Sequence, residues 1–172
     1  YRFHNGEETL RFYGRLFKCL GHHGWMDLRH ALEKSCNTYF YTLGNMLGID
    51  RLYEYSRSLG LAGKSGIDLP NEIESIVPST DWKLKRTGVR WYPGETISVA
   101  IGQGQLSVTP MSMAVMISTV ANGGTRVVPR LVTAVDDGEG WRDVPPPGNP
   151  FPPLLMKAGT VSGVHDGLWM AV

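Results

Sequence analysis

The stretch Ser35-Cys36-Asn37 sets the strongest constraint on how this chain folds. It lies between a helical run over residues 28–34 and the aromatic cluster Tyr39-Phe40-Tyr41, so two helical segments must meet at a non-helical corner. Such a corner presents a hydroxyl and a carboxamide, two positions apart, to a cleft while the flanking helices hold both still. A purely structural reading competes with this one. Serine and asparagine both accept bonds from the orphan N–H groups of a helix start, which would make Ser35 and Asn37 caps and nothing more.

Periodicity and punctuation place the other elements. Asp27 begins a helix through Lys34 with Leu28, Ala31 and Leu32 on one face, and a second helix runs from Thr38 to Leu47 and ends at Gly48. Asp50 is expected to cap a third that stops at Gly60, burying Leu52, Tyr55 and Leu59 and leaving Arg51, Glu54, Arg57 and Ser58 solvated. Ser79 opens a short segment with Trp82, Lys83, Lys85 and Arg86, read as a wet charged face or a docking site for an anionic polymer. Pro78, Gly88, Pro93 and Gly94 make 60–96 mostly loop. Thr109 as N-cap, Pro110 at the first helical position and Asn122-Gly123-Gly124 at the end bound another helix. Its Met111, Ala114, Val115, Ile117 and Val120 cover most of the circumference, which predicts a buried core helix with methionines as packing material. Residues 126–135 alternate weakly around Pro129 and suggest an edge strand. Asp137-Gly138 before 141–144 reads as a hairpin, and prolines over 145–153 form an extended connector to a last helix within 161–172.

Composition excludes several classes. A net charge of +1 with interspersed signs leaves no footprint for nucleic acid and no polybasic membrane patch. No run of about 20 apolar residues exists to span a bilayer. With 172 residues, 42% of them hydrophobic, one domain with a sizeable core is expected. The chain opens at Tyr1 and closes on Trp169-Met170-Ala171-Val172, so residues 1–172 are expected to be an internal fragment of one larger domain.

A Ser-x-Asn triplet is also the middle motif of serine acyl-transfer enzymes that open β-lactams or cross-link peptides. Beyond it, His23-Gly24-Trp25, Ala31 to Tyr41, Gly66-Ile67-Asp68-Leu69-Pro70, Trp91 to Ile97, Ala100 to Gln105, Thr109-Pro110-Met111 and Ala121-Asn122-Gly123-Gly124 stand in one family's order. In these stretches the chain resembles the transpeptidase domain of class B penicillin-binding proteins, and most closely those of the elongation type. The resemblance implies an α+β fold of the serine β-lactamase/transpeptidase type, mainly its helical part. It implies a D,D-transpeptidase that joins peptidoglycan stem peptides through an acyl-serine and is acylated by β-lactam antibiotics, in cell-wall biogenesis and cell-shape maintenance. It further implies an extracytoplasmic (periplasmic) location with an anchor outside this segment, and a glycosyltransferase partner in a wall-synthesis complex. A non-catalytic β-lactam-sensing or scaffolding domain of the same fold is the alternative.

Two family motifs are missing. None of the eleven serines is followed three positions later by lysine, so the acylated serine lies outside this chain. Lys64-Ser65-Gly66 spells the third motif but falls where the family has a glycine-rich connection, and is read as a turn. By the resemblance, Ser35 relays a proton between the absent nucleophile's lysine and the leaving group. Asn37 braces that lysine and hydrogen-bonds the acyl-donor amide, which its two donors and one acceptor permit.

No cofactor is implied for catalysis. Cys19, His23 and Cys36, spaced Cys-x3-His-x12-Cys, are ligand types suited to a structural zinc, with the fourth ligand upstream of Tyr1 or supplied by His4 or His22. A disulfide between the cysteines, or two unrelated thiols, are the other readings. Such a metal would staple the 1–24 segment, poor in periodic apolar residues, onto the triplet. Asp68 and Glu72 look like a carboxylate pair but have no reason to converge, and Gly102-Gln103-Gly104 lacks the rest of a phosphate loop.

Overall fold

The computed structural model describes residues 9–172, and they form two compact units. The first unites the described part of Tyr1–Tyr55 with Pro78–Leu106 and Met156–Val172; the second unites Ser56–Val77 with Ser107–Leu155.

The first unit opens with a hairpin that the sparse apolar pattern of 1–24 did not suggest. Strands β1 (Thr9–Phe12) and β2 (Arg15–Lys18) pair antiparallel with Leu10 opposite Phe17. Tyr13 and Gly14 make the turn at φ 49° and 78°. Two positive φ values in a two-residue loop give the turn whose twist matches paired strands, and glycine takes the second without penalty.

Three helices follow: α1 (Leu28–Glu33), α2 (Asn37–Leu47) and α3 (Ile49–Ser58). The hairpin is fastened to α2 by the Phe17 ring at 5.4 Å from that of Tyr41 and by the Tyr13 hydroxyl, which donates to Asn45 Oδ1 at 2.8 Å. Asp50 does not cap α3. It lies in the first turn, and its carboxylate accepts from the N–H of Thr80 at 2.9 Å and from the Thr80 hydroxyl, serving an orphan donor of the next helix. Tyr55, expected on the buried face, is exposed.

The span expected to be mostly loop holds α4 (Thr80–Thr87) and the start of α5 (Pro93–Val99). Ser79 caps α4 by accepting from the N–H of Trp82 at 3.0 Å. Pro93 opens α5 rather than breaking structure, since a first-turn N–H has no helical partner to lose. The Glu95 carboxylate then reaches back to the N–H of Tyr92 at 2.9 Å.

The α4 charge run is not all solvated either. Lys83 has only 7% of its side chain exposed, and its Nζ lies 2.8 and 2.6 Å from the two oxygens of Glu95. It also stands 5.5 and 5.1 Å from the ring centres of Trp91 and Tyr92. A buried ammonium needs such a partner, and the aromatic faces add cation–π attraction.

Helix α5 packs on α2 at a contact with no slack: a Cβ built on Gly44 would lie 2.3 Å from that of Ala100. Helix α7 (Ala158–Trp169) packs on α1, where Arg29 meets Asp166 at 3.1 Å. Met26, Ala31, Cys36 and Tyr39 form a buried cluster beneath the triplet, with Cys19, Leu28, Phe40 and Leu43 against it.

In the second unit, α6 (Pro110–Ala121) starts as the sequence predicts, with Thr109 accepting from the N–H of Ser112 at 3.2 Å. It is not buried all round. Ser112, Val115 and Thr119 form its buried stripe, whereas Met113 and Ile117 are 48% and 49% exposed. The buried hydroxyls are satisfied, because Ser75 Oγ bonds Ser112 Oγ at 2.9 Å and Thr119 Oγ1 donates to the carbonyl of Val115 at 2.7 Å.

The expected strand over 126–135 is reduced to β3 (Ala134–Asp136), paired antiparallel with β4 (Trp141–Asp143). Upstream of it the N–H groups of Leu131 and Val132 donate to the Asp68 carboxylate at 2.7 and 3.0 Å instead of to a neighbouring strand. Arg126 is buried, 3.6 Å from the ring centre of Phe151, and its Nη2 donates to the carbonyl of Lys64 at 3.3 Å. No helix among the described residues is long and apolar enough to cross a membrane.

Candidate active site

The corner between α1 and α2 is built by a specific helix ending. Asp27 Oδ1 accepts from the N–H of His30 at 3.0 Å and fixes the start of α1. At the other end the N–H of Cys36 donates to the carbonyl of Ala31 at 2.9 Å, and the N–H of Ser35 to that of Leu32 at 3.2 Å. These two bonds are the Schellman pattern, which requires its C′ residue in the left-handed region. That residue is Ser35, at φ 50°. Glycine usually fills such a position, and a residue with a Cβ there stores of order 1–3 kcal/mol of strain.

Ser35 is exposed, Asn37 half-buried and Cys36 between them buried. The simple cap reading fails in its details. The N-cap of α2 is Cys36, with no side-chain capping bond, and Asn37 is already the first helical residue. Both polar side chains flank a buried anchor at a strained corner, with neither consumed as the cap of α2.

The sulfur of Cys36 lies 3.3 Å from Thr38 Oγ1. Cys19, His23 and Cys36 converge, each offering a ligand atom within 4.8 Å of the others, and Cys19 Sγ is 3.5 Å from His23 Nδ1. Tetrahedral zinc places neighbouring ligand atoms about 3.5–3.8 Å apart, so the Cys19–His23 pair already has the required spacing. Burial raises the Cys19 pKa, but the N–H groups of Gly21, Thr38, Asn37 and Leu20 outweigh it and leave the thiol below its ordinary value. Two of these donors belong to the first turn of α2, where a helix favours negative charge. Both cysteines are free thiols, so the structure does not form the disulfide weighed from sequence. His4 lies outside the described residues, and among the described residues His22 does not join the group.

The other sequence candidates fall elsewhere. Glu72 does not pair with Asp68; its carboxylate accepts from the Ser65 N–H at 2.7 Å, the Ser65 hydroxyl at 2.5 Å and the Gly66 N–H at 3.2 Å. Lys64-Ser65-Gly66 is thus a clamped turn, with Gly66 at φ 87°. The side chain at Gln103 is exposed, and it is Gln105 that bonds Glu95, at 3.3 Å. Sequence reading missed Glu95 as a hub for Lys83, Tyr92 and Gln105. Its signal was a carboxylate two residues after a proline that opens a helix.

Comparison with known proteins places these features. Residues 14–168 match the family model described as the penicillin binding protein transpeptidase domain. The chain is 42% identical over 112 residues, 65% of its length, to the peptidoglycan D,D-transpeptidase MrdA of Acinetobacter baumannii, and 36% identical over 147 residues, 86% of its length, to MrdA of Escherichia coli. It spans 17% and 22% of the length of those relatives, about a fifth. Among solved structures, PBP2 of Pseudomonas aeruginosa in complex with WCK 5153 superposes with a TM-score of 0.82 at 30% identity, covering 99% of this chain and 36% of that one. PBP2 of Helicobacter pylori in complex with MreC gives a TM-score of 0.76 at 27% identity over 95% of this chain and 29% of the other.

Proposed function

The chain belongs to the penicillin-binding protein transpeptidase domain family, and from that premise we propose that it is an internal part of one transpeptidase domain in a longer peptidoglycan D,D-transpeptidase. The intact protein cross-links stem peptides through an acyl-serine, is acylated by β-lactams, and works outside the cytoplasmic membrane, held by an anchor beyond these residues. The nucleophile, its lysine and the strand motif come from outside residues 1–172.

The observation that carries this reading is the strained corner at Ser35. A serine kept in a left-handed conformation where glycine would be unstrained points to a use for its hydroxyl. Ser35 passes a proton between the outside lysine and the leaving nitrogen as the acyl-serine forms. Asn37, fixed at the start of α2, braces that lysine with its carbonyl oxygen and holds the acyl-donor amide with its NH₂. Chemistry of this kind calls on no cofactor.

Cys19, His23 and Cys36 are read as three ligands of a structural zinc, with a fourth from outside the described residues. The convergence of the three supports this. The metal would tie the segment before α1 to the triplet through Cys36. A wall-synthesis partner is supported by the likeness to PBP2 in complex with MreC and, at a TM-score of 0.75, to a chain of a peptidoglycan synthase complex; a glycosyltransferase is the partner we propose.

Acylation of the full-length protein by a labelled penicillin tests the reading. Covalent labelling that Ser35→Ala slows is the expected result. A full-length protein that takes no label would make the domain a scaffold instead.

A further inference from the structure

A cleft of about 590 Å³ opens between the β1–β2 hairpin and the start of α5, inside the first unit. Its walls carry the rings of Phe12, Phe17, Trp91 and Tyr92, and Arg15 stands among them. That volume lies in the range of small-molecule sites, which combine apolar and aromatic walls with a few polar groups.

Its charge balance is uneven. Glu95 also lines the cleft, but its carboxylate is neutralised by Lys83 at 2.6 and 2.8 Å and also accepts from Tyr92 and Gln105. Arg15 is exposed and has no acidic partner among the described residues. One positive charge is left over, so the complementary ligand carries an anion.

Position adds a second constraint. The hairpin is bolted to α2 at Tyr41 and Asn45, about one and two turns beyond Asn37. Roughly 6–12 Å of helix axis therefore separates these anchor points from the start of the triplet's helix. A substrate that reacts at the corner and also enters the cleft therefore carries a further group beyond its reacting one.

Resting on the transpeptidase reading above, we propose that this cleft binds a sugar unit of the strand being cross-linked, together with a carboxylate of the peptide attached to that sugar. The C–H face of a pyranose ring lies on Tyr92 and Trp91, and Arg15 meets the carboxylate. Concavity argues for this occupant over a partner protein, whose standard footprint of about 800 Å² per side needs a broader face.

The test uses the full-length protein and two soluble probes, a disaccharide-peptide and the same peptide without sugars, with binding followed by calorimetry. The unmodified protein should bind the sugar-bearing probe more tightly. Tyr92→Ala should remove about 3- to 10-fold of that affinity and leave the sugar-free probe unchanged. Arg15→Gln, at an exposed strand position, should weaken the sugar-bearing probe about tenfold, and by less at high salt. It keeps the test open if Tyr92→Ala does not fold. Equal affinity of the unmodified protein for both probes, or variants that bind the sugar-bearing probe as the unmodified protein does, would overturn the proposal. So would variants that lose a protein partner while muropeptide affinity stays constant. If the unmodified protein is not acylated by penicillin, the transpeptidase reading fails instead, and the two failures are told apart.

Discussion

The N–H of Cys36 bonds the carbonyl of Ala31 at 2.9 Å, closing a helix end that forces Ser35, between them in sequence, to φ 50°. On the relay role proposed for Ser35, stability and chemistry pull in opposite directions at one residue. Ser35→Gly should raise thermal stability by about 1 kcal/mol, because glycine takes the left-handed position without strain. Both Ser35→Gly and Ser35→Ala should slow acylation of the full-length protein by a labelled penicillin about 10²–10⁴-fold. Stopped-flow labelling beside thermal melts reads both effects, and unchanged acylation would remove Ser35 from the relay.

Asn37→Ala should weaken substrate binding and turnover together, leaving a lysine and an amide each short of a hydrogen bond at ~1–3 kcal/mol apiece. Asn37→Asp should keep part of the activity, since an acceptor remains for the lysine. Full turnover by the alanine variant would reduce Asn37 to a helix-start residue.

Metal analysis of the full-length protein should find about one equivalent of zinc, lost in Cys19→Ser and in Cys36→Ser. Chelation should lower the melting temperature before it alters acylation rates. A crystal structure with Cys19 and Cys36 joined as a disulfide would end the idea.

Glu95→Gln should cost roughly 3 kcal/mol because it strands the buried Lys83 ammonium, and Lys83→Met should cost less because Glu95 is 30% exposed and keeps its bonds from Tyr92 and Gln105. The double variant Lys83→Met/Glu95→Gln should recover much of that loss. Urea unfolding of the three variants checks the sign of the coupling; additive losses would show that the pair is not coupled.

Acid should loosen the second unit. The N–H groups of Val132 and Leu131 hold the Asp68 pKa below its ordinary value. Burial raises that of Glu72, but the Ser65 hydroxyl and the Ser65 and Gly66 N–H groups outweigh it, so it too is lowered. A depressed folded pKa gives stability that is complete above the unfolded value, near pH 4, and is lost as pH falls through the folded one. Unfolding midpoints against pH should drop in that window, and Glu72→Gln should flatten part of the drop. Identical profiles would rule out the clamp.

Most of the helical frame was legible in the sequence. Asp27, Thr109-Pro110 and the glycine after α2 punctuate helices in patterns that depend on nearest neighbours alone, whereas α4 and α5 lie in a span read as mostly loop. What escaped depended on contacts distant in sequence. Asp50 looks like a cap until Thr80, thirty positions on, claims its carboxylate. Lys83 looks solvated until Glu95 and two rings close over it. The 126–135 strand dissolved because Asp68 took its donors. At the site, residue types and order marked Ser35, Asn37 and the Cys-His-Cys group, whereas the left-handed backbone of Ser35 is visible only in three dimensions.

The contact between Gly44 and Ala100 reaches beyond packing. Gly44 lies two turns along the helix that begins with Asn37, and even a methyl group there would collide with α5. That one hydrogen-sized gap sets how far the triplet's helix stands from its support. A side chain larger than hydrogen at position 44 would therefore shift the triplet's helix on its seat, whereas its exposed positions can change without moving it.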